Sequence, residues 1–262
     1  MTKKRYLGIL ADMDGTVNRG NLLIDGVQEV YKSLSEKGVA WLFLSNNAKA
    51  PAADLAGKLT GLGLDVTPSQ VVNSASALIR TLKKDYRGAR IMVVGEPKLI
   101  HAVQEAGSFI ESDPMKTNIV VVALDTGLTY EKIKLAHIAI SHGAQFWATN
   151  LDPIFPVPGG FQPGAGSVVA SIATAVGRPP DRVFGKPATD MAILALELLQ
   201  LSKDSCLVVG DRMDTDILFA KNAGMDSALV LTGATSRPDL AKYDYSPDYV
   251  FDSIADIETF FD

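Results

Sequence analysis

Cysteine is nearly absent from this sequence, with Cys206 the single example in 262 residues. One cysteine excludes an internal disulfide and fits a reducing, cytoplasmic setting. At the head of the apolar run CLVVG it reads as a small buried residue rather than a nucleophile. Histidine is scarce as well: His101, His137 and His142 show no ligand spacing with cysteine or with one another, which argues against a zinc site. Long apolar runs are missing. The longest, such as Ile119 to Leu124, are strand-sized and far short of a membrane span. Lys3, Lys4 and Arg5 lead at once into a short strand and then acidic residues, so no signal peptide is expected. Positive charge is in deficit, at a formal net charge of -5, and no basic stripe is present to neutralise a phosphate backbone. Nucleic acid is therefore excluded as the main partner, and an anionic substrate would have to be held by a few local groups.

What is present is ordinary in amount and unusual in arrangement. A 47% hydrophobic and 21% charged composition suits a soluble globular chain with a sizeable core, long enough for one large domain or two modest ones. Residues Tyr6 to Thr16, YLGILADMDGT, read as a short apolar strand ending in two carboxylates, a glycine and a hydroxyl. Asp12 and Asp14 alternate with Met13 and so share one side of an extended chain. Two carboxylates crowded at a strand end resist ionising together unless a cation or a proton lies between them. The pair points to a hard metal ion, to acid/base chemistry or to both; a D-G turn closing a strand is the plain alternative.

The rest of the chain alternates apolar strands and helices. A helix to about Lys37, with Val27, Val30, Tyr31 and Leu34 on one face, precedes the buried strand Trp41 to Ser45. A helix from about Ala52 to Leu62 and a strand near Val71 to Asn73 complete a βαβαβ half, the pattern of a parallel sheet covered by helices. From about Ser76 a second series runs through strands at Ile91 to Gly95, Ile119 to Asp125 and Gln145 to Asn150. The Gly- and Pro-rich stretch from Asp152 to Gly166 reads as a loop, and GRPPD, Gly177 to Asp181, as a connector. The first rhythm then returns with strands Arg182 to Gly185, Cys206 to Asp211 and Ser227 to Gly233, a helix from about Thr215, a strand near Tyr249 to Phe251, and a last helix carrying Ile254, Ile257, Phe260 and Phe261. The expected fold class is α/β: a doubly wound parallel-sheet core built from residues 1–75 and 182–262, interrupted by a smaller α/β insertion over residues 76–181.

Four apolar strands end in complementary polar groups: Asp12 with Asp14, Ser45 with Asn46 and Asn47, Lys186, and Asp211 with Asp216. In a parallel sheet such ends converge on one crevice however distant they are along the chain. Singly, each has a structural explanation: a surface lysine at Lys186, a helix cap at Ser45, an N-cap at Asp214 or Asp216. In this order they resemble one family. DMDGT at Asp12 to Thr16, FLSNN ending in Ser45, Asn46 and Asn47, GKP at Gly185 to Pro187 and GDRMDTD at Gly210 to Asp216 resemble the four motifs of the haloacid dehalogenase-like phosphatase superfamily. TNLD at Thr149 to Asp152 and PGAGS at Pro163 to Ser167 are similar to segments of its NagD or p-nitrophenyl phosphatase type, which has a large α/β cap and a Rossmann-like core.

Group chemistry and the resemblance imply the same roles. Asp12 would attack phosphorus to form an aspartyl-phosphate, and Asp14 would protonate the leaving alcohol and then take a proton from water. Asp12 and Asp211 supply the oxygen ligands that Mg²⁺ prefers; the main-chain carbonyl of Asp14 joins them by resemblance, with Asp216 orienting that shell. Lys186 would offset phosphate charge and hold Asp12 ionised, while Ser45, Asn46 and Asn47 would bond the phosphoryl oxygens. The insertion would act as a lid, with Asn150, Asp152 and the loop to Gly160 as its substrate-facing edge. The implied partner is a small phosphorylated metabolite such as a nucleotide or sugar phosphate, and pairing through the cap is common in the subfamily, so a homodimer is one assembly it allows. No membrane is implied. A phosphotransferase or mutase on the same fold is the nearest alternative. A receiver-type phosphorylated switch shares the aspartates, hydroxyl, lysine and Mg²⁺, but Asp14 and the large insertion speak against it. A binding module without activity would not need the acid/base and metal set, and the glycines from Gly159 to Gly166 lack the Gly-Lys-Ser/Thr ending of a nucleotide loop.

Overall fold

The structure is a computed structural model that describes residues 6–261 apart from residue 158; Lys3, Lys4 and Arg5 lie outside the described residues. The chain forms two compact units. One takes the residues up to Ser45, Ala52–Val72 and the chain from Lys186 onward, and the other takes Asn46–Pro51 and Asn73–Gly185.

The first unit is built on a six-stranded parallel sheet in the order Tyr249–Phe251, Asp226–Val230, Cys206–Gly210, Gly8–Asp12, Ala40–Ser45, Val71–Asn73. Strand Gly8–Asp12 lies at its centre because Ile9, Leu10 and Ala11 are wholly buried, as a strand covered on both faces requires. It pairs on one side with Cys206–Gly210, Ala11 opposite Val209, and on the other with Ala40–Ser45, Asp12 opposite Leu44. The chain passes to one side of this strand in its first segment and to the other in its last, so Asp12 sits at the switch point of the strand order, where open α/β sheets bind ligands. Helix Val27–Glu36 packs through Val27, Val30, Tyr31 and Leu34, the face expected from their spacing.

The second unit has its own five-stranded parallel sheet, ordered Arg182–Val183, Gln145–Ala148, Ile119–Val122, Arg90–Val94, Phe109–Ile110. Val120, Val122 and Phe146 pack there against Ala136 and Ile140 of one helix and Val169 and Ile172 of another. Among the described residues no helix is long and apolar enough to cross a membrane.

Three elements differ from the sequence reading. Strand Arg182–Val183 belongs to the five-stranded sheet, beside Trp147 and Ala148, and not to the core sheet. Its aromatic neighbours fix this: Phe184 meets Trp147 edge-on at 5.3 Å, and the Arg182 guanidinium lies over both rings. The stretch after Asp152 contains an antiparallel ribbon, Ile154–Val157 with Gly160–Pro163, rather than only a loop. Gly159, at φ 86°, supports its tight turn, and a two-stranded ribbon tolerates proline because half of its N–H groups need no ladder partner. The C-terminal segment Ile254–Phe260 is a 3₁₀ helix. Ile254, Ile257 and Phe260 recur every three residues, a spacing that lines one face of a 3₁₀ helix at least as well as an α-helix.

Candidate active site

Asp12 is the last residue of the central strand; one step beyond its level, strand Ala40–Ser45 ends in Ser45 on one side and Asp211 directly follows strand Cys206–Gly210 on the other. After Asp211 the backbone makes a wide turn over Met213–Ile217, with the Ile217 N–H reaching the Arg212 carbonyl at 3.1 Å, before helix Leu218–Ala223 begins. Wide turns of this kind are rare inside helices and concentrate at functional sites. This one turns Asp216 inward instead of along the helix surface, and the side chain is buried.

Lys186 joins the pieces. Its ammonium group, only 3% exposed, donates to Asp12 Oδ1 at 2.5 Å and to Asp216 Oδ1 at 2.6 Å. The second Asp216 oxygen accepts the Arg212 N–H at 3.0 Å. Asp211 Oδ2 accepts the Ala234 N–H at 2.6 Å, whereas Asp211 Oδ1 is buried with no hydrogen-bond partner. One carboxylate oxygen from each of Asp12, Asp211 and Asp216 lies within 4.8 Å of the others.

The charges do not balance among these side chains. Burial pushes the Asp12 carboxyl up; Lys186 opposes this, and the carboxylates of Asp216 and Asp211 add to it. Asp211 is pushed up to about 6, first by burial and then by Asp216, against the stabilising Ala234 N–H. Burial alone would lower the lysine, but Asp12 and Asp216 more than offset it and hold the ammonium above the usual lysine value. Three carboxylates and one ammonium leave two negative charges in a buried space, and a divalent cation is the group that cancels them. The unpartnered Asp211 oxygen and the all-oxygen donor set fit a hard ion such as Mg²⁺.

Asp14 stands apart from this cluster. Its carboxylate is 47% exposed, and its Oδ1 accepts from Asn18 Nδ2 at 2.7 Å and from Lys58 Nζ at 3.2 Å. Ser45 is buried at its strand end. Asn46 donates its amide to Asp152 at 2.9 Å and accepts at its carbonyl from Asn150 and Ser74. Asn47 Oδ1 accepts the Lys49 N–H.

Sequence reasoning missed the support for these groups. Asn18 and Lys58 hold Asp14, and the Thr232 to Thr235 loop frames the neighbouring turns: Thr232 Oγ1 donates to the Gly15 carbonyl at 2.7 Å, and the Thr235 N–H reaches the Asp211 carbonyl. Gly15, at φ +99°, has no room for a side chain, since a Cβ would lie 2.6 Å from Asp211 Oδ2. The loop had a visible signal, because Ser227 to Gly233 is a further apolar run ending in Thr and Gly.

Comparison with known proteins gives one family. A family model described as haloacid dehalogenase-like hydrolase matches residues 9–108, and a HAD-hydrolase-like model matches residues 183–257. The chain is 38% identical over 250 residues to the sugar-phosphatase AraL of Bacillus subtilis, covering 95% of this chain and 91% of that protein. It is 34% identical over 259 residues to the acid sugar phosphatase of Staphylococcus aureus, covering 97% and 99%. Among solved structures, 4-nitrophenylphosphatase from Thermotoga maritima superposes with a TM-score of 0.91 at 34% identity, covering 98% of each chain. NagD from Escherichia coli K-12 gives 0.89 at 30% identity, covering 97% of this chain and 98% of that one.

Proposed function

The chain belongs to the haloacid dehalogenase-like hydrolases, in the group of NagD and the p-nitrophenyl phosphatases, and from that membership and its site we propose that it is a Mg²⁺-dependent phosphatase of small phosphorylated metabolites, sugar phosphates first among them. The observation that carries the reading is the buried Lys186 ammonium shared by Asp12 and Asp216 beside the unpartnered oxygen of Asp211.

In this reading Asp12 is the nucleophile. Lys186 occupies its Oδ1 and keeps the carboxylate ionised in a place where burial favours the acid. A carboxylate oxygen of Asp12 bonds to phosphorus as the ester oxygen leaves, and Asp14 gives that oxygen its proton, so the alcohol departs neutral. In the second half Asp14 takes a proton from water as the water oxygen bonds to phosphorus, and the Asp12 bond breaks to release inorganic phosphate. Asp12 and Asp211 would hold Mg²⁺ through side-chain oxygens and Asp14 through its main-chain carbonyl, with Asp216 fixed by Lys186 and the Arg212 N–H at its edge. When bound, the ion supplies positive charge to the carboxylates and to the phosphoryl oxygens. Ser45, at the end of the strand beside that of Asp12, is the donor assigned to those oxygens. Cys206, buried in a core strand, is consistent with a cytoplasmic enzyme.

The trial is phosphate release from glucose 6-phosphate and p-nitrophenyl phosphate, with Mg²⁺ and with chelator, for the unmodified chain and Asp12→Asn. Turnover that needs Mg²⁺ and falls at least about a thousandfold in the variant is expected, in line with removal of a covalent nucleophile. Full activity in Asp12→Asn would remove it from that role.

A further inference from the structure

Two donors converge on a single oxygen of Asp14. The Asn18 amide reaches Oδ1 at 2.7 Å and the Lys58 ammonium reaches the same atom at 3.2 Å, while among the described residues no donor meets Oδ2. The Asn18 side chain is fully buried, and its Nδ2 also donates to the Gly20 carbonyl at 3.0 Å. Both neighbours of that nitrogen are acceptors. The reverse orientation of the amide would set an oxygen against a carboxylate and a carbonyl, so the donor assignment is forced. The backbone adds to this grip: the Gly15 N–H bonds the Asn18 carbonyl at 2.8 Å, closing the turn that carries Asp14. Lys58 comes from a separate element, near the end of helix Ala52–Gly61, and reaches Asp14 across the surface of the same unit.

We infer that Asn18 and Lys58 are positioning residues that divide the labour of the two Asp14 oxygens: Oδ1 is anchored by both donors and Oδ2 is left to carry the proton. This rests on the phosphatase reading and deepens it. A carboxylic acid that must deliver its proton along one direction gains from having its other oxygen fixed, because free rotation about the Cβ–Cγ bond would present either oxygen and disperse the donor. The step is the one written above: the Oδ2 proton passes to the ester oxygen as its bond to phosphorus breaks and the Asp12 bond forms. The return proton from water arrives at the same Oδ2. The Lys58 side chain is 29% exposed and that of Asp14 47%, so the pair contributes little to stability and a Lys58 variant reads orientation rather than unfolding.

The experiment compares two leaving groups. An alkoxide such as that of glucose 6-phosphate depends on the proton, whereas p-nitrophenolate leaves well without it. For Lys58→Met, kcat/KM, which reports only the steps through transfer to Asp12, should fall about tenfold further on glucose 6-phosphate than on p-nitrophenyl phosphate, and Lys58→Arg should recover most of the difference. Asn18→Ala should show the same bias; Lys58 is partly exposed, so its variants carry the test if the buried site does not tolerate change. As a readout apart from turnover, the Lys58 ammonium signal in ¹H–¹⁵N spectra, identified by its loss in Lys58→Arg, should shift in Asp14→Asn. Equal losses on both esters, or no loss on either, would overturn the inference while leaving the phosphatase reading intact. Failure of the unmodified chain to release phosphate from either ester would take down that reading, and this inference with it.

Discussion

Replacing Lys186 with methionine tests the charge arrangement most directly. The substitution keeps the length and most of the volume of the side chain and removes one positive charge that is 3% exposed and bonded to Asp12 at 2.5 Å and Asp216 at 2.6 Å. What is left is three carboxylates, those of Asp211 and Asp216 buried and that of Asp12 14% exposed, with no compensating side chain. Breaking a buried ion pair by deleting one partner typically costs about 3–5 kcal/mol, because the other charge is stranded. At roughly 2–4 °C per kcal/mol for a domain of this size, melting in chelator at neutral pH should fall by about 6–20 °C. Two conditions should shrink that deficit. Excess Mg²⁺ provides positive charge where the ammonium was, and mild acid lets the stranded carboxylates take up protons. Thermal unfolding followed by circular dichroism, with chelator and with Mg²⁺ at two pH values, reads all of this. A Lys186→Met chain that melts with the unmodified protein in chelator would show that the ammonium does not balance the carboxylates, and the reading of the site as an incomplete cation cage would fall.

Two further outcomes follow from Asp211. Its carboxyl, pushed up to about 6, binds its proton more tightly in the folded chain than in the unfolded one. The group therefore favours folding fully below about pH 4, and this contribution is lost as pH rises from there through about 6, on the order of 3 kcal/mol in chelator. Urea unfolding in chelator at pH 4.5 and 6.5 should show the loss, and Asp211→Asn should lack it; an identical pH slope in the variant would refute the assignment. Gly15→Ala adds a Cβ at φ +99° that would lie 2.6 Å from Asp211 Oδ2 and 2.7 Å from its Cγ, so the carboxylate must move. Calorimetric titration should give Mg²⁺ binding about 10–100-fold weaker, the usual effect of disturbing the support of a ligand, and unchanged affinity would refute it.

Much of the fold and the chemical centre was legible because buried parallel strands are continuous apolar runs, and three in the core sheet run out at Asp12, Ser45 and Asp211. What escaped was whatever depends on distance along the chain. Lys58 looks like any lysine on a surface helix, and only the folded path puts it 3.2 Å from Asp14. Asn18 follows the first motif as one more turn residue, and its complete burial is set by the local fold around it. Strand Arg182–Val183 has no pattern that chooses between two parallel sheets; the Trp147 and Phe184 rings make the choice. The wide turn at Met213–Ile217 is hidden for a different reason, since a period of 3.6 residues contains no sign that one turn will bond five residues back.

The same features explain why the centre cannot be a device for stability. A core sheet whose strands hold Ile9, Leu10, Val208 and Val209 at or near zero exposure could continue its apolar packing to the strand ends. Hydrophobic groups there would remove the desolvation of three carboxylates and an amine, and replacing buried ions in this way is often neutral or stabilising. Instead, Asp12 and Asp211 close neighbouring strands, a wide turn brings Asp216 to them, and Lys186 cancels only one charge of the three. One more cationic side chain would have reduced the excess, and yet Asp211 Oδ1 is left without any donor. An arrangement that gives up stability and keeps an unsatisfied anionic oxygen is intelligible when the missing partner comes from solution, which is why the Lys186 and Asp211 experiments are read in chelator first and in Mg²⁺ second.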